Sequence, residues 1–469
     1  MENRNMNGNL ENIRGKKVLV VGLGKSGIAA VQAMLKLGAE VSVQDAKSQD
    51  EIDGQLINFL TGSLGGENLG LYLGCVPEDM SQFDMMILSP GVSPELPFIR
   101  EAEEAGVEII GELEIAYRIG RGHFIAITGT NGKTTTTTLT GEIFRASGRS
   151  THVVGNIGVA VISKALDADE DDWLVTETSS FQLQTTRYFK PVVSAILNLT
   201  PDHLNRHHTM EQYGEAKAKV FANQDASGYC VVNFDDKDCF ALPQKYGCKA
   251  KVVPFSRKEE LEFGAFVKDG KMVLRNEEGE LITFCGTEEL QIIGGHNVEN
   301  ALAAAAVSYF AGVDPQVIGD TLRNFRGVPH RIEFSGEING VKYYNDSKGT
   351  NVDATVTALR AIEKNIILIA GGDGKGQTFD ELIRQFHGSV KHMILLGRDG
   401  RLIAEAADRC GFKNYSYARD MNECVQKASE MAVPGDTVLL SPACASWDMY
   451  DNFEQRGDHF KDCVAHLGS

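Results

Sequence analysis

Apolar residues in this chain come in short bursts, each running into a loop rich in glycine or polar residues. Lys17–Val21 is the first burst and predicts a strand; Gly22-Leu23-Gly24-Lys25-Ser26-Gly27 follows. Apolar positions then recur at Ile28, Val31, Met34, Leu35 and Leu37, the spacing of an amphipathic helix, and Gly38 stands where such a helix ends. A second strand, Glu40–Val43, leads to Asp45, about twenty residues beyond the glycines. Met85–Leu88 predicts another strand, ending in Ser89-Pro90-Gly91, and strand and helix alternate to about Glu112. Phe124–Ile127 and Trp173–Thr176 read as buried strands, and Val193–Leu197 as a third. Thr209–Phe221 predicts a helix, opened by a capping box of Thr209 with Gln212, with a stripe of Met210, Tyr213, Val220 and Phe221. A second helix, Val298–Phe310, is alanine-rich and takes Asn297 as its N-cap. Beyond Val328-Pro329-His330-Arg331 come three more strands, Val341–Tyr344, Ile366–Ala370 and Thr437–Leu440.

This alternation predicts an α/β protein of three domains. Residues 1–113 carry strand, glycine turn, helix, strand and acidic residue in the order of a Rossmann-like fold. Residues 114–327 read as a central P-loop-type domain with a mostly parallel sheet, and 328–469 as a second Rossmann-like α/β domain. Composition narrows the class. The 469 residues are 42% hydrophobic and 23% charged, as expected of a globular protein with substantial cores. A net charge of −18 argues against general affinity for nucleic acid or anionic membranes, so phosphate chemistry must use local clusters. Nine cysteines without a C-x-x-C pair point to a reducing, cytoplasmic setting and away from disulfides or a zinc site. The polar N-terminus has no apolar signal core, and the longest apolar run, near Ala301–Val313, is too short to span a bilayer.

The chemistry lies where the bursts end. Phe124–Thr136 reads FIAITGTNGKTTT: a strand, then Gly129, Thr130, Asn131 and Gly132, then Lys133, Thr134 and Thr135 opening a helix. Backbone N–H groups, a helix N-terminus and a compact cation then converge as a cradle for phosphate. Glu177, at the carboxyl end of the neighbouring strand, suits a Mg²⁺ shared with the phosphates and the Thr134 hydroxyl. His203 sits at another strand end. Lys217 falls within the apolar stripe of its helix. It either snorkels to the rim or is a buried amine made neutral enough for modification. Asn156, in Val154-Gly155-Asn156-Ile157-Gly158, is a loop amide within reach of a phosphate or carboxylate. The glycine turn at Gly22–Gly27 fits the diphosphate of NAD or of a nucleotide sugar equally well.

Taken together, T-G-T-N-G-K-T, G-N-I-G, E-x-S-S-F-Q-L, G-G-H-N, P-H-R, N-D-S-K-x-T-N, G-G-D-G-K and S-P-A-C-A-S, all in order, resemble the Mur ligases of bacterial peptidoglycan synthesis over nearly the whole chain. The N-D-S-K-G-T-N and S-P-A-C-A-S-W-D segments resemble the D-glutamate-adding branch, and the Asp-Asn-Pro-Arg segment of diaminopimelate- or lysine-adding relatives is missing. The resemblance implies a cytoplasmic, monomeric ligase. ATP would phosphorylate the carboxylate of UDP-N-acetylmuramoyl-L-alanine to an acyl phosphate, which the amine of D-glutamate then attacks. It implies that Lys133 and the loop residues Gly129–Thr135 bind ATP, with Asn297, Arg331 and Asp346. Thr134 and Glu177 would hold a first Mg²⁺, and His203 with a carbamylated Lys217 a second. Lys25, Ser26, Asp45, Ser89, Gly91 and Asn156 would hold the UDP-linked substrate, and Lys348, Thr350, Lys375, Ser446 and Phe453 the amino acid. Domain closure around these ligands is expected. Gly349 and Trp447 depart from the usual residues of relatives, and neither the polar N-terminal extension nor the charged stretch Arg257–Leu290 is explained by the motifs. The rival readings are another amino-acid-adding Mur ligase, a folylpolyglutamate synthase-like ligase, a non-catalytic regulator on the same scaffold and, most distant, an NAD-dependent oxidoreductase. The last leaves the phosphate loop without a job.

Overall fold

A computed structural model of the chain describes residues 13–64 and 69–467; the polar extension before Ile13 lies outside the described residues. The chain forms three sheets. The first contains β1 (Lys17–Val21), β2 (Glu40–Asp45), β3 (Gly70–Leu73), β4 (Met85–Leu88) and β5 (Glu108–Gly111). All are parallel, in the order β3-β2-β1-β4-β5. The chain therefore reverses direction of winding beside β1, and the loops after β1 and β4 lie together at the carboxyl edge, the position where open parallel sheets bind ligands. The strand interiors are continuous apolar runs such as Val18-Leu19-Val20, fully buried because helices cover both faces.

The central sheet comprises β6 (His123–Thr128), β7 (Thr151–Gly155), β8 (Trp173–Glu177), β9 (Val193–Ile196), β10 (Tyr229–Asn233), β11 (Lys251–Ser256), β12 (Gly264–Lys268), β13 (Lys271–Arg275) and β14 (Leu281–Gly286). Its order is β14-β13-β12-β11-β10-β9-β6-β8-β7. Strands β6 to β12 pair in parallel, whereas β12, β13 and β14 form an antiparallel meander. The charged stretch left unexplained by motifs is thus a sheet extension. Its first hairpin turns on Asp269-Gly270, with φ of 47° and 72°. That is the Asp-Gly turn whose twist matches paired strands, a local signal present in the sequence.

One compact unit contains both of these sheets (residues 1–289 and 299–323). They are joined through the helix Glu112–Ile119, which carries two buried carboxylates. Glu114 accepts the backbone N–H groups of Arg187, Tyr188 and Phe189 and pairs with Arg118 at 2.8 Å. Glu112 accepts the N–H of Ile162 at 2.6 Å, at the start of the helix Val161–Ala165, while its second oxygen is buried without a partner. Burial raises the Glu112 carboxyl to about 7. The folded chain therefore keeps this proton up to about pH 7, while the unfolded chain releases it at the ordinary value of 4.5, so Glu112 lowers stability progressively as pH rises through that window. Glu112→Gln keeps the acceptor and removes the charge. The variant is expected to gain on its parent by up to about 3 kcal/mol between pH 4.5 and 8, read as a Tm difference by calorimetry; a difference independent of pH would contradict this account.

The second unit (residues 290–298 and 324–469) is built on β15 (Glu333–Ile338), β16 (Val341–Asn345), β17 (Ile366–Gly371), β18 (Val390–Leu396), β19 (Tyr415–Tyr417) and β20 (Thr437–Leu440). The order is β15-β16-β20-β17-β18-β19, parallel except for the edge strand β15. The helix predicted from Val298 begins earlier, spanning Gly295–Phe310. Asn297 is therefore its third residue and not its N-cap; its amide donates to Ile293 O at 2.7 Å. The described helix Met210–Ala218 stops short of Phe221. Its Thr209 cap accepts the Gln212 N–H at 3.2 Å. All nine cysteines are free. Among the described residues no helix is long and apolar enough to cross a membrane.

Candidate active site

β6 delivers the chain into Gly129–Gly132 and the helix Lys133–Ala146 begins directly after. Gly132, the N-cap, has φ 82°, and a Cβ there would lie 2.2 Å from Asn300 Oδ1, so both conformation and space demand glycine. Having no side chain, it leaves the first-turn N–H groups of the helix without a side-chain cap, open toward an anion. The loop is held from outside by Asn198, whose Oδ1 accepts the N–H groups of Thr130 (3.0 Å) and Asn131 (2.8 Å) and whose amide donates to Asn131 O. Thr130 Oγ1 donates to Thr200 O at 3.1 Å. Asn198 follows β9 in the same loop as His203, and no spacing in the chain marks its clamp on the phosphate loop.

Two lysines meet on this loop. Lys133 Nζ donates to Gly129 O (2.9 Å) and Thr130 O (2.8 Å). Lys217 Nζ donates to the same Gly129 O at 2.8 Å and lies 4.4 Å from the centroid of the Tyr213 ring. Lys217 is 1% exposed, so the rim-snorkelling alternative is excluded. Burial first, and the Lys133 charge second, holds its amine well below the usual lysine range. Glu177, also buried, accepts from Asn156 Nδ2 at 2.8 Å through Oε1, while Oε2 is buried with no hydrogen-bond partner. A buried carboxylate oxygen without a partner is costly, and a cation or ligand hydroxyl is what would satisfy it. Thr134 is buried at the start of the helix, and Thr135 beside it.

His203 is half exposed, with φ 51°, its ring 3.4 Å from Asp202 Oδ2 and 4.9 Å from the Phe181 ring. The buried histidine is its neighbour His207, absent from the sequence-derived site. Its Nε2 lies 2.9 Å from Ser180 Oγ, its ring stacks on Phe181, and burial lowers it to about 4, which keeps it neutral. Among the described residues no group of three His, Cys, Asp or Glu side chains forms a metal cage.

At the carboxyl edge of the first sheet, Gly27 approaches so closely that a Cβ would stand 1.8 Å from Gly22 O. Ser89 Oγ donates to that same carbonyl at 2.7 Å. Asp45 is committed to its own domain: its carboxylate accepts the N–H groups of Leu23 (2.7 Å) and Lys47 (2.9 Å). Lys25 is exposed, Ser26 half-buried and Gly91 exposed. Ser89 lines a narrow crevice whose opposite wall is Phe181 and Gln182 of the central domain.

In the second unit, Asp346 is buried, accepts Ser441 Oγ at 2.7 Å, and is raised by burial to about 7. Arg331 Nε is buried without a hydrogen-bond partner. The Lys348 ammonium lies 5.6 Å from the Phe453 ring centroid, and Ser347 Oγ ties the Phe453 carbonyl to this loop at 2.8 Å. Arg456, another residue the motifs did not flag for a role, is buried and ties Ser347 to the Cys444 carbonyl. Thr350 is half-buried, Ser446 is buried and Lys375 is exposed on its loop.

Three family models match the chain in order: Mur ligase MurD-like N-terminal domain over residues 16–111, Mur ligase middle domain over 127–308, and the Mur ligase glutamate ligase domain over 330–444. The chain belongs to the Mur ligase family. It is 48% identical over 459 residues to the UDP-N-acetylmuramoylalanine–D-glutamate ligase of Alkaliphilus oremlandii, covering 97% of this chain and 99% of that one. The enzyme of the same name from Clostridioides difficile is 46% identical over 456 residues, with the same shares covered. Among solved structures, the UDP-N-acetylmuramate-alanine ligase of Thermotoga maritima shares the fold with a TM-score of 0.55 at 18% identity, over 96% of this chain and 100% of that one. MurF from Acinetobacter baumannii does so with a TM-score of 0.55 at 16% identity, over 82% and 90%.

Proposed function

We propose that this protein is an ATP-dependent amide-bond ligase that adds D-glutamate to UDP-N-acetylmuramoyl-L-alanine in the cytoplasm, releasing ADP and phosphate. Support comes foremost from the Gly129 carbonyl, on which Lys133 and the buried Lys217 converge within the phosphate loop. A simple nucleotide-binding loop has use for the first lysine and none for the second, which is expensive to bury.

In this reading, Gly129, Thr130, Asn131, Gly132, Lys133, Thr134 and Thr135 hold ATP. The loop N–H groups and Lys133 stabilise charge on the transferring phosphoryl group, the main task of such sites. The substrate carboxylate attacks the γ-phosphorus and ADP leaves. The amine of D-glutamate adds to the acyl phosphate carbon, and the tetrahedral intermediate collapses with loss of inorganic phosphate and a proton. CO₂ accepts the lone pair of the neutral Lys217 amine, which sheds a proton and becomes an anionic carbamate. Burial favours this by disfavouring the competing ammonium. The unpartnered Glu177 oxygen fits a cation, and Mg²⁺ held by Thr134 and Glu177, and by His203 with carbamylated Lys217, would supply charge neutralisation at the phosphates. Lys25, Ser26, Ser89, Gly91 and Asn156 take the UDP-linked substrate, with Asp45 acting through the Leu23 turn that it holds. Asn297, Arg331 and Asp346 face ATP, and Lys348, Thr350, Lys375, Ser446 and Phe453 receive D-glutamate.

The direct test is phosphate release with ATP, Mg²⁺ and UDP-N-acetylmuramoyl-L-alanine, run with D-glutamate, L-glutamate, L-alanine and meso-diaminopimelate in parallel. Release with D-glutamate alone is the expected outcome. Release with another of the four moves the enzyme to a different ligation step, and silence with all four overturns the assignment.

A further inference from the structure

The loop after β17 and the loop after β20 are laced together by a pair of backbone hydrogen bonds: Asp373 N–H to Ala445 O at 2.9 Å, and Ala445 N–H to Asp373 O at 2.8 Å. Two residues beyond each member of that pair stand Lys375 and Trp447. The Lys375 ammonium lies 4.3 Å from the centroid of the Trp447 ring, and Trp447 is 65% exposed, the most exposed large apolar residue among the described residues. Leaving a tryptophan in water forfeits its burial, so its position calls for a reason.

The surrounding charges supply one. Asp373, the carboxylate nearest in sequence, accepts the Lys375 backbone N–H at 2.9 Å and is paired with the Arg398 guanidinium. Asp399 is taken up by Gly374 N–H at 2.7 Å, and Asp448 by Arg398 N–H at 2.7 Å. Asp373, Asp399 and Asp448 thus each already accept a hydrogen bond from another group. A carboxylate partner would neutralise the ammonium and use its N–H groups. An aromatic face attracts the cation while leaving its charge and its three donors available to an incoming anion. Lys375 itself has φ 50°, a left-handed backbone conformation uncommon for a residue with a side chain.

We propose that Trp447 is a positioning residue that presents the Lys375 ammonium to a carboxylate of the amino-acid substrate. This rests on the assignment of Lys375 to D-glutamate made above. The interaction lowers the KM for the amino acid by holding the lysine in its bound orientation before the substrate arrives, so the ordering of a long flexible side chain no longer opposes binding.

Steady-state kinetics of Trp447→Leu, Trp447→Phe, Lys375→Ala and the Lys375→Ala/Trp447→Leu double variant test it in the full-length enzyme. For Trp447→Leu the KM for D-glutamate is expected to rise about two- to fivefold, the range of an exposed cation–aromatic contact, with kcat and the KM for ATP little changed. Trp447→Phe is expected to recover part of that rise, because a smaller aromatic face remains. In the Lys375→Ala background Trp447→Leu is expected to add nothing. An unchanged KM in Trp447→Leu, or an equal further loss in the double variant, overturns the positioning role. An unchanged KM in Lys375→Ala overturns the placement of D-glutamate itself, so the two failures are distinguishable.

Discussion

Lys133→Ala is expected to reduce ATP-driven phosphate release by at least about 10²–10³-fold, the loss typical of removing one preorganised charge from the path of a developing anion. The loop it leaves should keep its shape. Thr130 and Asn131 remain clamped by Asn198, and the Gly129 carbonyl keeps its hydrogen bond from Lys217. The half-buried lysine contributes little packing, so Tm should change little while activity collapses. A variant that retains activity within tenfold of the parent would remove the phosphate loop from the chemistry.

Lys217→Ala is expected to be almost as damaging, but for a different reason and with a different signature. The side chain is buried between Tyr213 and the phosphate loop, so truncation leaves a cavity where the proposed carbamate would stand. Small carboxylates such as acetate or formate fit a space of that size and bring the same kind of oxygen. Millimolar additions should therefore restore part of the phosphate release in Lys217→Ala while leaving Lys133→Ala silent. Full activity of the variant without additive would sink the carbamate. Loss of activity with no rescue, accompanied by a fall in Tm, would assign the lysine a purely structural role. Calorimetry beside the rate measurements separates the cases.

The local pattern determined a good deal. Strands β1, β4 and β20 run from end to end as their apolar bursts predict, because each is a short run buried on both faces and ended by glycine, serine or proline. The phosphate loop was legible for the same reason: Gly129, Gly132 and Lys133 serve one local conformation, and the helix starts where the loop ends. Lys217 stood out as a cation in an apolar stripe. The missed meander β12–β14 had its Asp269-Gly270 turn in plain view; the many charges around it hid strands that each bury only three consecutive residues.

Other features had no local signature. That Lys217 reaches Gly129, 88 residues away, follows from where its helix packs, against the helices Ser180–Gln184 and Lys237–Lys245, and no spacing in the chain encodes it. The same holds for Asn198 on the loop, for His207 rather than His203 as the buried histidine, and for Asp45 being occupied by its own turn. Nothing in the local pattern marks Glu112 and Glu114. Only the packing of the first domain on the central one turns them into buried acceptors for the N–H groups of distant segments. By itself the sequence determined the element types, the three-domain order and the chemical kind of each loop, since these depend on periodicity and on backbone freedom at glycine. Tertiary structure alone decided which side chains share a partner and which charges lose their water, because pairing and desolvation depend on distances between segments far apart in the chain.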